Sequence, residues 1–131
     1  MQLREIMTTD VLDVEPAATL QAAAHEMKER KTSSAVITED GYLIGILTER
    51  DIVKAVADGI DTEVTHVRDY MTPAPTAATP DTSIEEAAQL MLEHGFRHLP
   101  VVDGERELKG IVSIRDLALA GIKLPAHAVV K

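Results

Sequence analysis

Two patterns of apolar residues, one with helical spacing and one of short continuous runs, alternate along the first half of the chain. Leu20, Ala23, Ala24 and Met27 recur at helical spacing, which predicts a helix over about 20–31 with Thr19 as its N-cap. Shorter apolar runs predict strands, two of which form a hairpin whose turn is the polar stretch 39–42. The predicted strands cover 11–14, 35–37 and 43–47, and a second helix is expected over 49–58 with Ile52, Val53 and Val56 facing inward.

The pattern returns in the second half, so the chain is an internal repeat. Met7-Thr8 recurs as Met71-Thr72, 64 residues later, whereas Gly45 recurs as Gly110, 65 residues later. We therefore expect two like units, residues 1–64 and 65–131, with one extra loop residue in the second hairpin. The second set of predicted elements comprises strands at 75–78, 98–102 and 108–112, a helix capped by Asp81, Thr82 or Ser83 that runs to His94, and a helix over 114–120.

Composition and charge narrow the classes of function. The 131 residues are 45% hydrophobic but only 2% aromatic, so the core is expected to be aliphatic. A net charge of −9 argues against a nucleic-acid surface, and the absence of cysteine excludes disulfides. No signal-peptide pattern or membrane-length apolar run is visible, so we expect a cytoplasmic protein that does not bind membranes. Residues 1–64 carry −7 and residues 65–131 carry −2, which favours the second half for an anionic ligand.

The most informative motif is a strand-to-helix junction that occurs twice, as Gly-x-x-Thr/Ser-x-x-Asp. Thr48 and Asp51 in the first copy correspond to Ser113 and Asp116 in the second. A helix start offers free N–H groups to an anion, a hydroxyl and an arginine can bind phosphate, and a carboxylate can accept from ribose hydroxyls. The preceding glycine leaves room for a ligand to approach the backbone. The same residues also fit a helix capping box, which for one copy alone is the more frequent explanation.

Taken together, the sequence resembles a tandem pair of cystathionine-β-synthase (CBS) domains, known as a Bateman module. The resemblance is carried by the two Met-Thr pairs, both junction motifs and the run Arg97-His98-Leu99-Pro100-Val101-Val102-Asp103. It implies an α/β (α+β) fold in which two β-α-β-β-α repeats pack with pseudo-two-fold symmetry around two clefts. It also implies a stand-alone, non-catalytic regulatory module that binds an adenosine-containing ligand (AMP, ADP or ATP) and needs no obligatory cofactor. The same resemblance implies that the chain forms a homodimer and acts on an unknown protein partner.

The resemblance also assigns roles to individual residues. Asp51 and Asp116 would hold ribose hydroxyls, and Val11 and Pro75 would lie near the adenine. The phosphate-facing residues would be Thr48, Arg50, Arg97, His98, Ser113 and Arg115. The first repeat departs from this pattern, because it has Ser33-Ser34 where the second has Arg97-His98. We therefore expect the second cleft to be preferred, and the first to take a less charged ligand or stay empty.

Other chemistry receives less support. His94 and His98 have helical metal spacing, but Gly95 interrupts the helix, so no metal site is predicted. Neither Thr48 nor Ser113 has a base that the sequence identifies, so no catalytic residue is predicted. Two alternatives stay open: a structural homodimerisation or interaction module with vacant clefts, and a site for S-adenosylmethionine or NAD. The tail 122–131 is apolar enough to dock on the rest of the chain.

Overall fold

The fold is seen in a computed structural model, which describes residues 1–125. The chain forms two compact units. One is continuous and comprises residues 11–75; we call it the continuous unit. The other combines residues 1–10 with the chain from 76 onwards, and we call it the split unit. Of the tail predicted to dock, Ile122 and Leu124 pack against the core of the split unit, as expected, whereas residues 126–131 lie outside the described part.

The helices and strands of the continuous unit follow the order predicted for the first repeat. Its strands are β1 (Asp13–Val14), β2 (Ser34–Glu39), β3 (Tyr42–Thr48) and β4 (Thr72–Pro73), and its helices are α1 (Leu20–Arg30) and α2 (Glu49–Ala57). The four strands form one sheet in that order, in which β1 is parallel to β2 and the other pairs are antiparallel. Thr19 caps α1 by accepting the N–H of Ala22, as predicted.

The split unit repeats this plan with a shorter sheet. Its strands are β5 (His98–Val102) and β6 (Leu108–Ser113), and its helices are α3 (Ile84–His94) and α4 (Ile114–Leu119). Ser83 is the residue that caps α3, and Gly95 ends that helix in the left-handed conformation with φ 74°. The strand predicted over 75–78 is reduced to a single parallel bridge between Ala78 and Val101.

The inward face predicted for α2 is wrong for two of its three residues. Val53 and Val56 are 67% and 64% exposed, whereas Ala55 is fully buried and Ile52 is half-buried. The contact stripe of this nine-residue helix therefore runs through positions 52 and 55, which pack into the core of the continuous unit. The two valines form an exposed apolar strip instead.

Each unit is closed by a short segment, residues 3–8 in the split unit and 67–74 in the continuous unit, which we call the closing segment. Each begins with a buried apolar residue, its anchor. In the split unit, Leu3 starts a 3-10 turn and is fully buried, while Thr8 pairs with Ile111 of β6. In the continuous unit, Val67 is the buried residue of the corresponding turn, and Thr72 pairs with Ile46. Residues 1–10 thus open the first repeat in sequence but pack with the elements of the second.

The helices of the part seen in the structure are too short or too polar to cross a membrane.

Candidate functional site

The split unit gathers most of the predicted phosphate-facing residues at one end of its hairpin. His98, the first residue of β5, pairs with Ser113, the last residue of β6. The N–H of Ile114, which begins α4, donates to the carbonyl of Arg97 at 2.9 Å. Arg97, His98 and Ser113 are half-buried, and Arg115 is exposed on the first turn of α4. Cationic, imidazole and hydroxyl groups therefore leave the backbone at the same strand end.

The Asp116 carboxylate has a fixed position at this end. Its Oδ2 accepts the N–H of Ser113 at 2.8 Å, and its own N–H donates to the Ser113 hydroxyl at 3.1 Å. This is a complete capping box, so the structural interpretation of the motif is confirmed here. Neither of these two bonds uses Oδ1. A carboxylate held through one oxygen can offer the other to a pair of hydroxyls, so cap and ligand group are compatible roles.

The continuous unit builds the equivalent junction with less charge. Ser34 pairs with Thr48, and the N–H of Glu49 donates to the carbonyl of Ser33 at 3.1 Å. Asp51 Oδ2 accepts the N–H of Thr48 at 2.8 Å and its hydroxyl at 3.2 Å. Arg50 is exposed on the first turn of α2 and is the only basic residue of this junction within the described segments.

Val11 lies at the same end of the continuous unit's sheet. Strands β1 and β2 are parallel and the N–H of Val36 donates to the Leu12 carbonyl, so Val11 precedes β1 at the end where Ser34 begins β2. Val11 is half-buried. Pro75 is buried and is the last residue of the continuous unit, so the structure does not include it in the unit that holds Arg97 and His98. Its proximity to adenine stays a prediction.

The helix starts are less open to an anion than the sequence suggested. The first N–H of α2 and of α4 donates to the carbonyl of Ser33 or Arg97, and the third N–H of α4 donates to Ser113. An anion at α4 would therefore depend more on side chains than on free main-chain donors. This pattern favours Arg97, His98 and Arg115 over the helix terminus itself as phosphate contacts.

The glycine of each junction motif makes room for a methionine, where the sequence suggested room for a ligand. A Cβ on Gly45 would lie within 3.1 Å of the Cγ and Cε atoms of Met71 and closer still to its sulfur. A Cβ on Gly110 would lie 3.0 Å from the Met7 sulfur and 2.7 Å from the Thr8 carbonyl oxygen. Sequence reasoning singled out both the Met-Thr pairs and the glycines, but it missed that they contact each other.

A pair of rings lies where α3 ends and the loop to β5 begins. His94 and Phe96 stack with their ring centroids 5.1 Å apart and their planes 12° from parallel. Gly95 lies between them, so the helical metal spacing of His94 and His98 is lost. Over the described chain, no group of three or more acidic or histidine side chains is arranged to hold a metal ion.

A family model and a curated relative both match almost the whole chain. A family model described as CBS domain matches residues 3–58 and 67–123. CBS domain-containing protein YhcV of Bacillus subtilis is 40% identical over 118 residues, which cover 89% of this chain and 83% of that protein.

Two solved structures share the fold and contain adenosine compounds. The CBS domain protein PAE2072 of Pyrobaculum aerophilum, complexed with AMP, aligns with TM-score 0.83 and 27% identity over 88% of this chain and 89% of that chain. The CBS domain pair of protein MJ0100, in complex with 5′-methylthioadenosine and S-adenosyl-L-methionine, aligns with TM-score 0.85 and 25% identity over 92% and 98% of the two chains.

Proposed function

Since this chain belongs to the CBS domain family, we propose that it is a non-catalytic regulatory module that binds an adenosine-containing ligand, with AMP, ADP or ATP as the expected class. PAE2072 with AMP and MJ0100 with methylthioadenosine and S-adenosylmethionine support the ligand class. A ligand of this kind shifts a regulatory equilibrium by binding one arrangement of the protein more tightly than another. The repeat boundaries 1–64 and 65–131 and a cytoplasmic location stay predictions.

The observation that carries the proposal is the convergence in the split unit. The pairing of His98 with Ser113 brings Arg97, His98 and Ser113 to the strand end where Asp116 is already oriented by its cap. A ribose needs a carboxylate acceptor and a phosphate needs cationic donors, and this end supplies both. The preoriented carboxylate would also reduce the entropy lost on binding.

Charge favours this junction over its counterpart. The continuous unit carries 6 basic and 12 acidic side chains, net −6, whereas the split unit carries 7 and 10, net −3. The difference has the same direction as the local replacement of Ser33-Ser34 by Arg97-His98. We therefore propose that a phosphorylated adenosine binds at the split unit's junction, and that Asp51, Thr48, Arg50 and Val11 serve a weaker or less charged ligand.

The test is a thermal-shift panel of the pure protein with AMP, ADP, ATP, NADH and S-adenosylmethionine. A ligand at one hundred times its Kd adds about 2.7 kcal/mol to the free energy of unfolding, which raises Tm by several degrees. Asp116→Asn keeps an oxygen that can accept the Ser113 N–H, so the ligand-free protein should lose about 1 kcal/mol or less. The same change should remove the nucleotide-dependent shift, because it removes the charge that ribose hydroxyls would contact.

Asp51→Asn is the matched control, because Asp51 makes the corresponding bond to the Thr48 N–H in the other unit. We expect Asp51→Asn to retain the nucleotide shift. If Asp51→Asn abolished the shift and Asp116→Asn retained it, the preference for the split unit would be wrong. A flat panel with every ligand would favour the structural alternative.

That alternative, a homodimerisation module, has its own observation. Val53 and Val56 form an exposed apolar strip on α2, and Leu119, on the corresponding helix α4, is 81% exposed. Exposed apolar side chains on the corresponding helices of both units are typical of a surface that another protein covers. We propose that a second copy of the chain packs on these helices, which is compatible with ligand binding.

A further inference from the structure

The methionine of each Met-Thr pair packs against the second strand of its unit's hairpin. Met71 occupies the space left by Gly45 in β3, and Met7 occupies the space left by Gly110 in β6. Both glycines are buried, and both methionines are half-buried. Each methionine side chain is thus packed against the glycine of its strand, while part of the residue stays exposed.

Each methionine is followed by the residue that pairs its segment with the sheet. In the split unit, Thr8 donates to and accepts from Ile111 at 2.9 and 3.0 Å. In the continuous unit, Thr72 is opposite Ile46, and Ala74 donates to Ile44 at 2.9 Å. The thioether contact and these few bonds together hold the end of each closing segment, whereas the start is held by Leu3 or Val67.

We propose that Met7 and Met71 form two oxidation-sensitive clips, through which a hydroperoxide releases the ends of these segments from β6 and β3. The thioether sulfur gives a lone pair to one peroxide oxygen, the O–O bond breaks, and that oxygen stays on sulfur. With hydrogen peroxide the other oxygen leaves as water, so the sulfur is oxidised by two electrons and the peroxide is reduced by two.

The sulfoxide would be incompatible with the clip for two reasons. It adds an oxygen to a sulfur that already lies so close to the glycine that a Cβ there would be 3.0 Å away or less. It also turns an apolar contact into a polar, chiral group that favours water. Since Leu3 and Val67 stay buried, the expected result is local opening of residues 7–8 and 71–74 rather than global unfolding.

The five methionines differ in solvent exposure, so the order in which peroxide oxidises them can be compared within one experiment. Met1 is 61% exposed, whereas Met27 and Met91 are 5% and 0% exposed in the two cores. Peptide mapping of the full chain during a hydrogen peroxide titration should show Met1 oxidised first, then Met7 and Met71, and Met27 and Met91 last. At the dose that modifies Met7 and Met71, hydrogen exchange at the Ile111 and Ala74 amides should accelerate by about tenfold or more. Methionine sulfoxide reductases A and B should restore the original rates.

Two sets of variants separate the clip from general damage. In Met7→Leu/Met71→Leu, the same dose should leave the Ile111 and Ala74 exchange rates unchanged, while Met1→Leu should respond like the wild type. Gly45→Ala and Gly110→Ala should accelerate exchange without peroxide, since the added methyl takes the place of the thioether. The proposal is overturned if Met7 and Met71 react only together with Met27 and Met91, or if their oxidation leaves both amides as protected as before.

Discussion

At the scale of single residues, the closing segment of the continuous unit contains a strained alanine. Ala74 has φ 45°, a left-handed conformation that costs a residue with a Cβ about 1–2 kcal/mol relative to glycine. Its N–H donates to the Ile44 carbonyl at 2.9 Å, so the bond to β3 holds the strained conformation. The strain lies directly after β4 and just before Pro75, a residue assigned to the adenine.

We expect Ala74→Gly to raise the free energy of unfolding by up to about 1 kcal/mol, because relief of strain exceeds the added flexibility of the unfolded chain. Ala77→Gly is the control, since Ala77 does not have a positive φ. That change should lower the free energy by about 0.5–1 kcal/mol. Urea unfolding monitored by circular dichroism gives both values. Equal destabilisation by the two changes would show that Ala74 is not strained.

At the scale of elements, the loop between β5 and β6 contains the extra residue that the repeat offset predicted. Asp103 Oδ1 accepts the N–H groups of Glu105 and Glu107 at 2.9 and 3.0 Å. These two bonds, with a smaller contribution from Lys109, lower the pKa of Asp103 below its ordinary value of 3.8. The carboxylate therefore orders a loop in which Arg106 has φ 65°.

The lowered pKa of Asp103 makes the free energy of unfolding depend on pH in a definite direction. A carboxyl whose folded pKa is below its unfolded pKa stabilises the protein above about pH 4, and this stability is lost as pH falls through the folded pKa. Asp103→Asn should therefore be less stable than the wild type at pH 7, and the difference should shrink as pH falls below about 4. Urea titrations across this range measure it. Because backbone N–H groups are the main cause, most of the difference should persist in 1 M salt, unlike a contribution from Lys109.

The exposed strip on α2 predicts an effect on assembly. Val53→Glu/Val56→Glu should shift the protein from dimer to monomer in sedimentation velocity, because two charges would have to be buried without partners. Val64→Glu is the matched control, since Val64 is 68% exposed but lies outside the helices. We expect it to leave the dimer intact. A wild-type protein that is already monomeric would refute the homodimer.

The sequence predicted the helices and strands better than it predicted which helix face is buried or which side chains contact each other. The helices, the two hairpins and the Thr19 cap follow from local periodicity and turn chemistry, and the structure confirms them. The orientation of α2, which buries Ala55 and exposes Val53 and Val56, is set by tertiary packing, which the periodicity of a short helix does not specify. Similarly, the glycine motif gave the pairing of Thr48 with Asp51, three residues apart, but not the contact of Gly45 with Met71. The ligand roles of the site residues stay predictions.

At the scale of the whole molecule, the first ten residues belong in sequence to one repeat and in space to the other. Leu3→Ala removes a fully buried side chain from the split unit, so it should cost about 2–5 kcal/mol. Hydrogen exchange should then accelerate in residues 76–125 and remain slow in residues 11–75. Val67→Ala should have the opposite distribution. If Leu3→Ala affected residues 11–64 most, the division into these two units would be wrong.

This arrangement of the first ten residues bears on how such a chain could have evolved. In this chain each unit takes its buried anchor, Leu3 or Val67, from the segment that precedes the other repeat. A primitive protein with one repeat that folded in the same way would therefore have lacked an anchor in its core. Two such molecules could complete each other by exchanging their amino-terminal segments, as domain-swapped partners do. Gene duplication and fusion would then have placed both partners in one polypeptide. The internal offset of 64 residues is consistent with that history.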